Sequence, residues 1–517
     1  MGPAKDRSLF GASGLRLVTS RIVGLRRFAH GWLLVALSAT ALVIWHPGER
    51  TKIGAAIEGR LLDLRFQMRG PLPPPDSVAI VVYDDLAVTA LSAFPPSRSD
   101  VAKTVRQIFS FGAKVVALDL LLVDPRGDDP ALAASLQRGA SVLGVAEAPA
   151  GADPTPLTDP GGFGLVIGSD PPDPLPAMGP SSDLQGAAAL GHVTVRHEVD
   201  GALRRMRPAL TLETPDGTST LPGLAIAAVS AKGRLPEIVL PDSGAAGRLA
   251  GDWPTAWLDL HGALPLNFHG PGGTMPTHST AALSEADLGG KIVFLGATAT
   301  GFGDRHSTSF DATLPGVEVH ATLAANLLDG RTLRRDMFAW GVDAALAVVV
   351  ALAGFRAGGL GRPWLKFPSI IAVTVTTLFA LQVTFLKGWW LDATTVLAAL
   401  FVGLAVGGTR RFLDTRRRAS NLARFHSPRL VDAMASLTHP LGGRVPQEAV
   451  VLFVDIAGFT TLAEGMDPAD TARFLGAFHE MVEAAADPQG GTIMDFAGDG
   501  VLVVFGMPEP AKDDAIR

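Results

Sequence analysis

Four long apolar runs constrain this chain more than any other feature. They are Phe28–Trp45, Met337–Phe355, Phe367–Leu386 and Leu391–Gly408, each near the ~20 residues a helix needs to cross a bilayer. With 517 residues, the chain is too long for one ordinary domain. Its residues are 47% hydrophobic and 18% charged, and the mean hydropathy is +0.29. A membrane protein is the class these values select. A net charge of −6 offers nothing to a nucleic-acid partner. The absence of cysteine excludes disulfides, thiolate zinc sites, cysteine-ligated iron–sulfur clusters and cysteine nucleophiles. No P-loop and no nucleophile-elbow serine occurs.

Basic residues orient the runs. Lys5, Arg7, Arg16, Arg21, Arg26 and Arg27 precede the first run, Arg356, Arg362 and Lys366 separate the second from the third, and Arg410, Arg411, Arg416, Arg417 and Arg418 follow the fourth. All three groups fall on one side if the N-terminus is cytoplasmic. Phe28–Trp45 reads as a retained anchor, because no small-x-small cleavage site follows closely and Trp32 and Trp45 sit near its ends. The expected organisation is a cytoplasmic arm (1–27), one span (28–45), an extracytoplasmic domain (46–336), three further spans (337–408), a coupling linker (409–447) and a cytoplasmic domain (448–517). Asp343, inside the second run, reads as a helix-end residue near the outer interface.

The extracytoplasmic part reads as α/β. Val78–Tyr83 is an apolar strand ended by Asp84 and Asp85. Ser99–Phe111 has helical spacing, with Ser99 or Asp100 as its cap and Gly112 as its stop. A strand at Lys114–Leu122 would complete a βαβ unit of a parallel sheet. Asp124–Pro180, rich in Pro, Gly, Asp and Ala, suggests long surface loops, and a later strand is expected at Lys291–Leu295. Asp84, Asp85, Asp119 and Asp304 lie where an α/β sheet binds ligands, although capping explains single aspartates as well. His306 and His320 lack metal-ligand spacing, and Gly296–Gly303 has no dinucleotide fingerprint. The segments Ile80–Asp85, Phe94–Arg98, Gly112–Asp119, Gly290–Gly296 and Pro315–Ala321 together resemble the second class of CHASE domains, extracellular sensors attached to cyclases and histidine kinases. The resemblance covers about residues 60–335, and Pro95-Pro96-Ser97-Arg98 departs from the family's usual Pro-x-Pro-x-Arg. An extracytoplasmic ligand of unknown identity is what it implies.

At the other end, Ala449–Val454 reads as a buried strand ended by Asp455. Asp467-Pro468 starts a helix with the apolar stripe Phe474, Leu475, Phe478, Met481 and Val482, and Pro488–Gly491 ends it. Two strands follow, joined at Asp499-Gly500. Strand–helix–strand–strand is the first part of a ferredoxin-like α+β domain. Two aspartates at strand ends, each near a glycine, suit a divalent metal carrying a phosphorylated ligand.

Leu452–Thr460 and Phe496–Gly506 closely resemble the two metal motifs of the class III nucleotidyl cyclases. That resemblance implies catalytic and metal-binding roles for Asp455 and Asp499, which would hold two Mg²⁺ or Mn²⁺ ions with the Ile456 carbonyl as a third ligand. It also implies nucleotide contacts at Gly458, Phe459, Thr460 and Gly498, conversion of ATP to cyclic AMP and pyrophosphate, and a homodimer. Two departures accompany it. Asp495 stands where adenylate-forming members carry a purine-selecting lysine, and an acidic group there would accept from guanine or face away. The family's transition-state arginine and asparagine would lie beyond Arg517, so the expectation is a fragment or an inactive short form. The expected protein is a multi-pass inner-membrane sensor cyclase. A guanylate cyclase, or a receptor whose cyclase-like domain only dimerises or binds nucleotide, is the alternative.

Overall fold

The computed structural model describes residues 32–423 and 448–516, apart from 92–94, 150–154, 156, 158–164, 168–173, 215–216, 234–235, 241–246, 286, 302–303 and 508–509. The N-terminal arm, the first four residues of the first apolar run, Phe94 of the second quoted segment and most of the coupling linker lie outside the described residues. The chain divides into two compact units, Met1–Gly407 and Gly408–Arg517.

In the first unit a helix at 32–45 precedes α1 (Lys52–Arg69), β1 (Val78–Tyr83), α2 (Arg98–Ser110), β2 (Val115–Leu118), α3 (Asp129–Leu136), β3 (Ala140–Glu147) and β4 (Ala189–His192). Then come α4 (Leu224–Ser230), β5 (Thr277–Ser279), β6 (Ile292–Ala297) and α5 (Gly316–Leu328). These strands form a parallel sheet in the order β5-β1-β6-β2-β3-β4. Its central strands are buried on both faces, so β1 is a continuous apolar run without alternation. Val78, Ile80 and Val82 point to one core, shared with Leu62 and Phe66 of α1 and with α4 and α5. Ala79, Val81 and Tyr83 point to the other, shared with Val101, Val105 and Ile108 of α2 and Leu132 and Leu136 of α3. Helices therefore cover both sides of one sheet, the layering that buries a parallel sheet.

The structure corrects one local expectation, the helix cap, and adds detail to two others. β1 and β2 are parallel but not neighbours, because β6 is inserted between them and pairs with both. The cap of α2 is Ser97, whose hydroxyl accepts from Asp100 N–H at 3.1 Å. Two prolines hold the chain extended up to it, so the helix begins at Arg98 rather than one residue later. Within Asp124–Pro180 the chain forms α3 and the interior strand β3, in place of loops alone.

After the sheet domain come α6 (Met337–Gly358), α7 (Pro363–Leu386) and α8 (Ala393–Ala423). All three are long and apolar enough to cross a membrane, with mean hydropathies of 2.0, 2.0 and 1.5. Phe338, Val349, Phe367, Ile371, Phe379 and Phe401 on them are largely exposed, as suits side chains facing lipid. Close glycine contacts join α6 to α8. A methyl group on Gly403 would lie 2.1 Å from the Ala351 carbonyl oxygen, and one on Gly407 2.3 Å from that of Phe355. Small residues that bring backbones together are the usual membrane packing device. At its far end α7 meets the sheet domain, where Phe385 packs edge-on against Phe66 with centroids 4.9 Å apart, a contact worth ~1 kcal/mol beyond its buried area.

Candidate functional site

The second unit is built on β7 (Val450–Asp455), α9 (Phe459–Glu464), α10 (Pro468–Ala486), β8 (Thr492–Ala497) and β9 (Gly500–Phe505). Asp467 caps α10 by accepting from Ala469 N–H at 2.9 Å, with Pro468 in the first turn. Gly490, at φ 88°, closes the helix's end. β9 lies between β7 and β8 and is antiparallel to both, so β7 and β8 run parallel on either side of it. Val482, Ile493, Val501 and Val503 form the core under α10, with Phe478 half-buried against them. Met481 of the predicted stripe is 64% exposed.

This register brings the two predicted carboxylates to one end of the sheet. Asp455 is paired with Gly500, the residue after Asp499. The Ile456 N–H donates to the Asp499 carbonyl at 3.3 Å, which closes the ladder at that end. The hairpin loop is Gly498-Asp499, not Asp499-Gly500, since Ala497 and Gly500 are the last ladder pair. Gly498 takes the positive φ of 70° that the first loop position requires. Gly458, at φ 73°, makes the corresponding turn after Asp455 and precedes the single turn of α9 that holds Phe459 and Thr460. Asp495 is exposed on β8 beside an irregularity between Ile493 and Asp495. β7 is not the buried strand expected from its composition: Val451 is 62% and Phe453 58% exposed. Within this unit no other described element covers that face.

Asp455 is exposed and Asp499 half-buried, so both carboxylates are open to a ligand. Among the described residues, no group of three His, Asp or Glu side chains could hold a metal ion. Mg²⁺ does not need one, because it is commonly bound through one or two carboxylates with substrate phosphates and water completing its shell. The Ile456 carbonyl accepts from Phe459 N–H at 3.2 Å, which leaves one lone pair for a cation. The donor set fits a hard divalent ion carried in with a polyphosphate.

In the first unit the predicted aspartates separate by role. Asp84 accepts from Ala87 N–H at 2.9 Å and Ser279 Oγ at 2.7 Å, a capping role. Asp85 accepts from the Thr300 amide and hydroxyl at 2.7 and 2.8 Å, tying the loops after β1 and β6. Asp304 pairs with His306 Nε2 at 2.9 Å, and His306 Nδ1 lies 3.1 Å from His197 Nε2. His320 is buried on α5.

Burial also sets the titration of three histidines. It holds His192 down at about 3, with the neighbouring His320 adding to the effect, and it holds His320 and His269 down at about 4. Unfolded, each takes up a proton near pH 6.5 that the folded chain refuses. Stability is therefore lost as pH falls below about 6.5, by up to ~1.4 kcal/mol per pH unit for each histidine. Asp119, pushed up to about 8 by burial and then by Asp304, opposes this with a single proton. The melting temperature of the full chain is expected to drop from pH 7 to pH 5. A flat profile would show that these rings are not held neutral.

A charged cluster that sequence reading missed sits where the sheet domain meets the apolar helices. Arg335, 3% exposed, pairs with Glu49 at 2.8 Å and with the fully buried Asp343. The Asp343 carboxylate also accepts from Asp392 N–H at 3.0 Å, and Asp392 caps α8 through Thr395 N–H at 3.1 Å and Thr395 Oγ1 at 2.6 Å. Beside them Glu58 of α1 accepts from Trp390 Nε1 at 2.9 Å and Thr394 N–H at 3.0 Å. Arg204 grips Asp63 of α1 with two bonds of 2.9 and 2.7 Å, and Arg205 lies 4.3 Å over the Trp390 ring. The signal for it was present as His46 and Asp392 at the ends of apolar runs and Asp343 inside one.

The CHASE2 domain model matches residues 34–358. The uncharacterized protein Rv1319c of Mycobacterium tuberculosis is 28% identical over 202 residues, 35% of this chain and 38% of that protein. An adenylate cyclase of Mycobacterium bovis is 41% identical over 66 residues, 13% of this chain and 15% of the cyclase. The chain thus spans well under half the length of these relatives. With a layered α/β sheet domain, three helices able to cross a membrane and a family match over more than half its length, the chain belongs to the CHASE2 domain family.

Proposed function

We propose that this protein is a membrane-bound sensor nucleotidyl cyclase that converts ATP to cyclic AMP and pyrophosphate in the cytoplasm, under control of its CHASE2 domain on the outer side of an inner membrane. The observation that carries the reading is the strand register that sets Asp455 and Asp499 side by side at one end of a three-stranded sheet packed against α10. The 41% identity to an adenylate cyclase over a short segment supports it. Two Mg²⁺ or Mn²⁺ ions, when bound, would supply activation of the ribose 3′-hydroxyl and charge neutralisation on the triphosphate. Asp455, Asp499 and the Ile456 carbonyl are the groups that would hold them. The left-handed turn at Gly458 begins α9, and in this reading the Thr460 amide of its first turn would face phosphate oxygens, the Phe459 amide being already given to the Ile456 carbonyl. Gly498 leaves the approach to Asp499 free of a side chain. The working form is a homodimer. In this reading the helix α8, continuous over Ala393–Ala423, transmits the state of the sensor.

Membranes carrying the gene product, assayed with ATP and with GTP in Mn²⁺, test the proposal. Cyclic AMP from ATP is the expected product. Cyclic GMP from GTP instead would move the reading to a guanylate cyclase, for which the exposed Asp495 is the one favouring observation. No product from either would leave a non-catalytic receptor.

A further inference from the structure

The parallel sheet ends in a cavity that the cyclase reading does not use. It encloses about 720 Å³, within the range of small-molecule sites, and opens where β2 and β6 end, the edge at which α/β sheets take ligands. Pro95, Pro96, Leu120, Leu122 and Met178 give it apolar walls.

Its charged groups are unevenly satisfied. Arg98 is only 6% exposed, and its guanidinium is spent on Asp129 Oδ1 at 2.9 Å and the Asp124 carbonyl at 3.1 Å. Arg126 and Asp124 are exposed. Asp304 has His306 at 2.9 Å. Asp119, at the end of β2, has no hydrogen-bond or ion-pair partner for its carboxyl among the described residues. A half-buried carboxyl group without a partner, sharing a cavity lining with a second carboxyl, is a place that lacks a cation.

We infer that this cavity binds a small aliphatic amine, its ammonium seated on Asp119 beside Asp304 and its hydrocarbon part against the Pro95, Leu120, Leu122 and Met178 walls. The upward shift of Asp119 to about 8, caused first by burial and then by Asp304, agrees with a missing positive charge. A bare metal ion is less well served, since the described residues offer no group of three suitable side chains. An ammonium group needs only the acceptors present, and the apolar walls need a hydrocarbon. The inference concerns the CHASE2 domain alone, and its test measures no cyclic nucleotide, so it stands or falls separately from the cyclase reading.

The test uses the full chain in lipid nanodiscs, with thermal unfolding followed in n-pentylamine hydrochloride, in 1-pentanol at equal concentration, in NaCl at equal ionic strength, and in CaCl₂ or MgCl₂. Pentylammonium is expected to raise the melting temperature where the alcohol and salt do not. Asp119→Asn, which removes the ionisable carboxyl while keeping its shape, should weaken pentylammonium binding at least about tenfold, the loss of one charge-assisted contact. The unliganded melting temperature should stay equal or rise. Equal effects of amine and alcohol would overturn the inference, as would undiminished amine binding in Asp119→Asn. Stabilisation by Ca²⁺ or Mg²⁺ that Asp119→Asn abolishes would overturn it in favour of a metal site.

Discussion

Replacing Asp455 or Asp499 by alanine is expected to lower cyclic nucleotide formation at least about 100-fold. Loss of a group that merely orients a metal ligand already costs 10–100-fold, and the loss of a ligand itself should exceed that. The variants are clean to interpret. Asp455 is exposed, so its truncation removes no buried partner. The part of Asp499 that holds the sheet together is its carbonyl, which accepts from Ile456 N–H and survives the substitution. Asp495→Ala provides the contrast. It removes an exposed carboxylate on β8 that lies away from the paired strand ends, and a change within about threefold is expected. The assay is product formation in membranes under saturating Mn²⁺ and nucleotide, with expression checked by blot. Unchanged activity in either metal-ligand variant would remove Asp455 and Asp499 from the chemistry.

What could be read from the sequence followed from local signals. β1 was found with its observed limits, because a strand buried on both faces is an unbroken apolar run between polar ends. The cap and proline of α10 were legible for the same local reason. Pairing was not. Nothing in Val78–Leu118 shows that β6, far along the chain, takes the position between β1 and β2. α3 and β3 hid in a stretch whose prolines and glycines suggested loops. β7 misled in the opposite direction: composition says how apolar a strand is, while exposure depends on what lies against it.

The candidate site shows the same division. The letters around Asp455 and Asp499 singled out both residues before any geometry was known. Their closeness came from the inserted strand β9, which only the fold supplies. The Asp-Gly signal placed the hairpin loop one residue late, since Gly498 rather than Gly500 adopts the positive φ. Asp119 and Asp304 were noticed as strand-end aspartates. Their different fates, one paired with His306 and one without a partner among the described residues, depend on a histidine contact that spacing could not foretell.

Arg335→Met is expected to destabilise the protein by about 3–5 kcal/mol, the usual cost of stripping one partner from a buried ion pair. Arg335 is the cation between Glu49, Asp343 and Asp392, with His46 Nε2 at 3.8–3.9 Å from the two aspartates. Without the guanidinium, Asp343 and Asp392 would be left 0% exposed with their charges uncompensated. Methionine fills similar volume, so the loss is electrostatic more than steric. The double variant Arg335→Met with Asp343→Asn should recover more than about 1 kcal/mol, because residues in one ion-pair network are not additive. Thermal unfolding of the purified chain in nanodiscs measures both. A single-variant cost below about 1 kcal/mol, or strict additivity, would show that the cluster is not held together by this arginine. The functional consequence follows from position. Asp343 and Asp392 connect the starts of α6 and α8, and Glu58 and Asp63 connect α1 to the same point and to Arg204. In the proposed reading, a signal passing from the sheet domain to α8 would load these contacts. Arg335→Met should therefore leave basal cyclic nucleotide formation in place while removing its response to conditions outside the membrane.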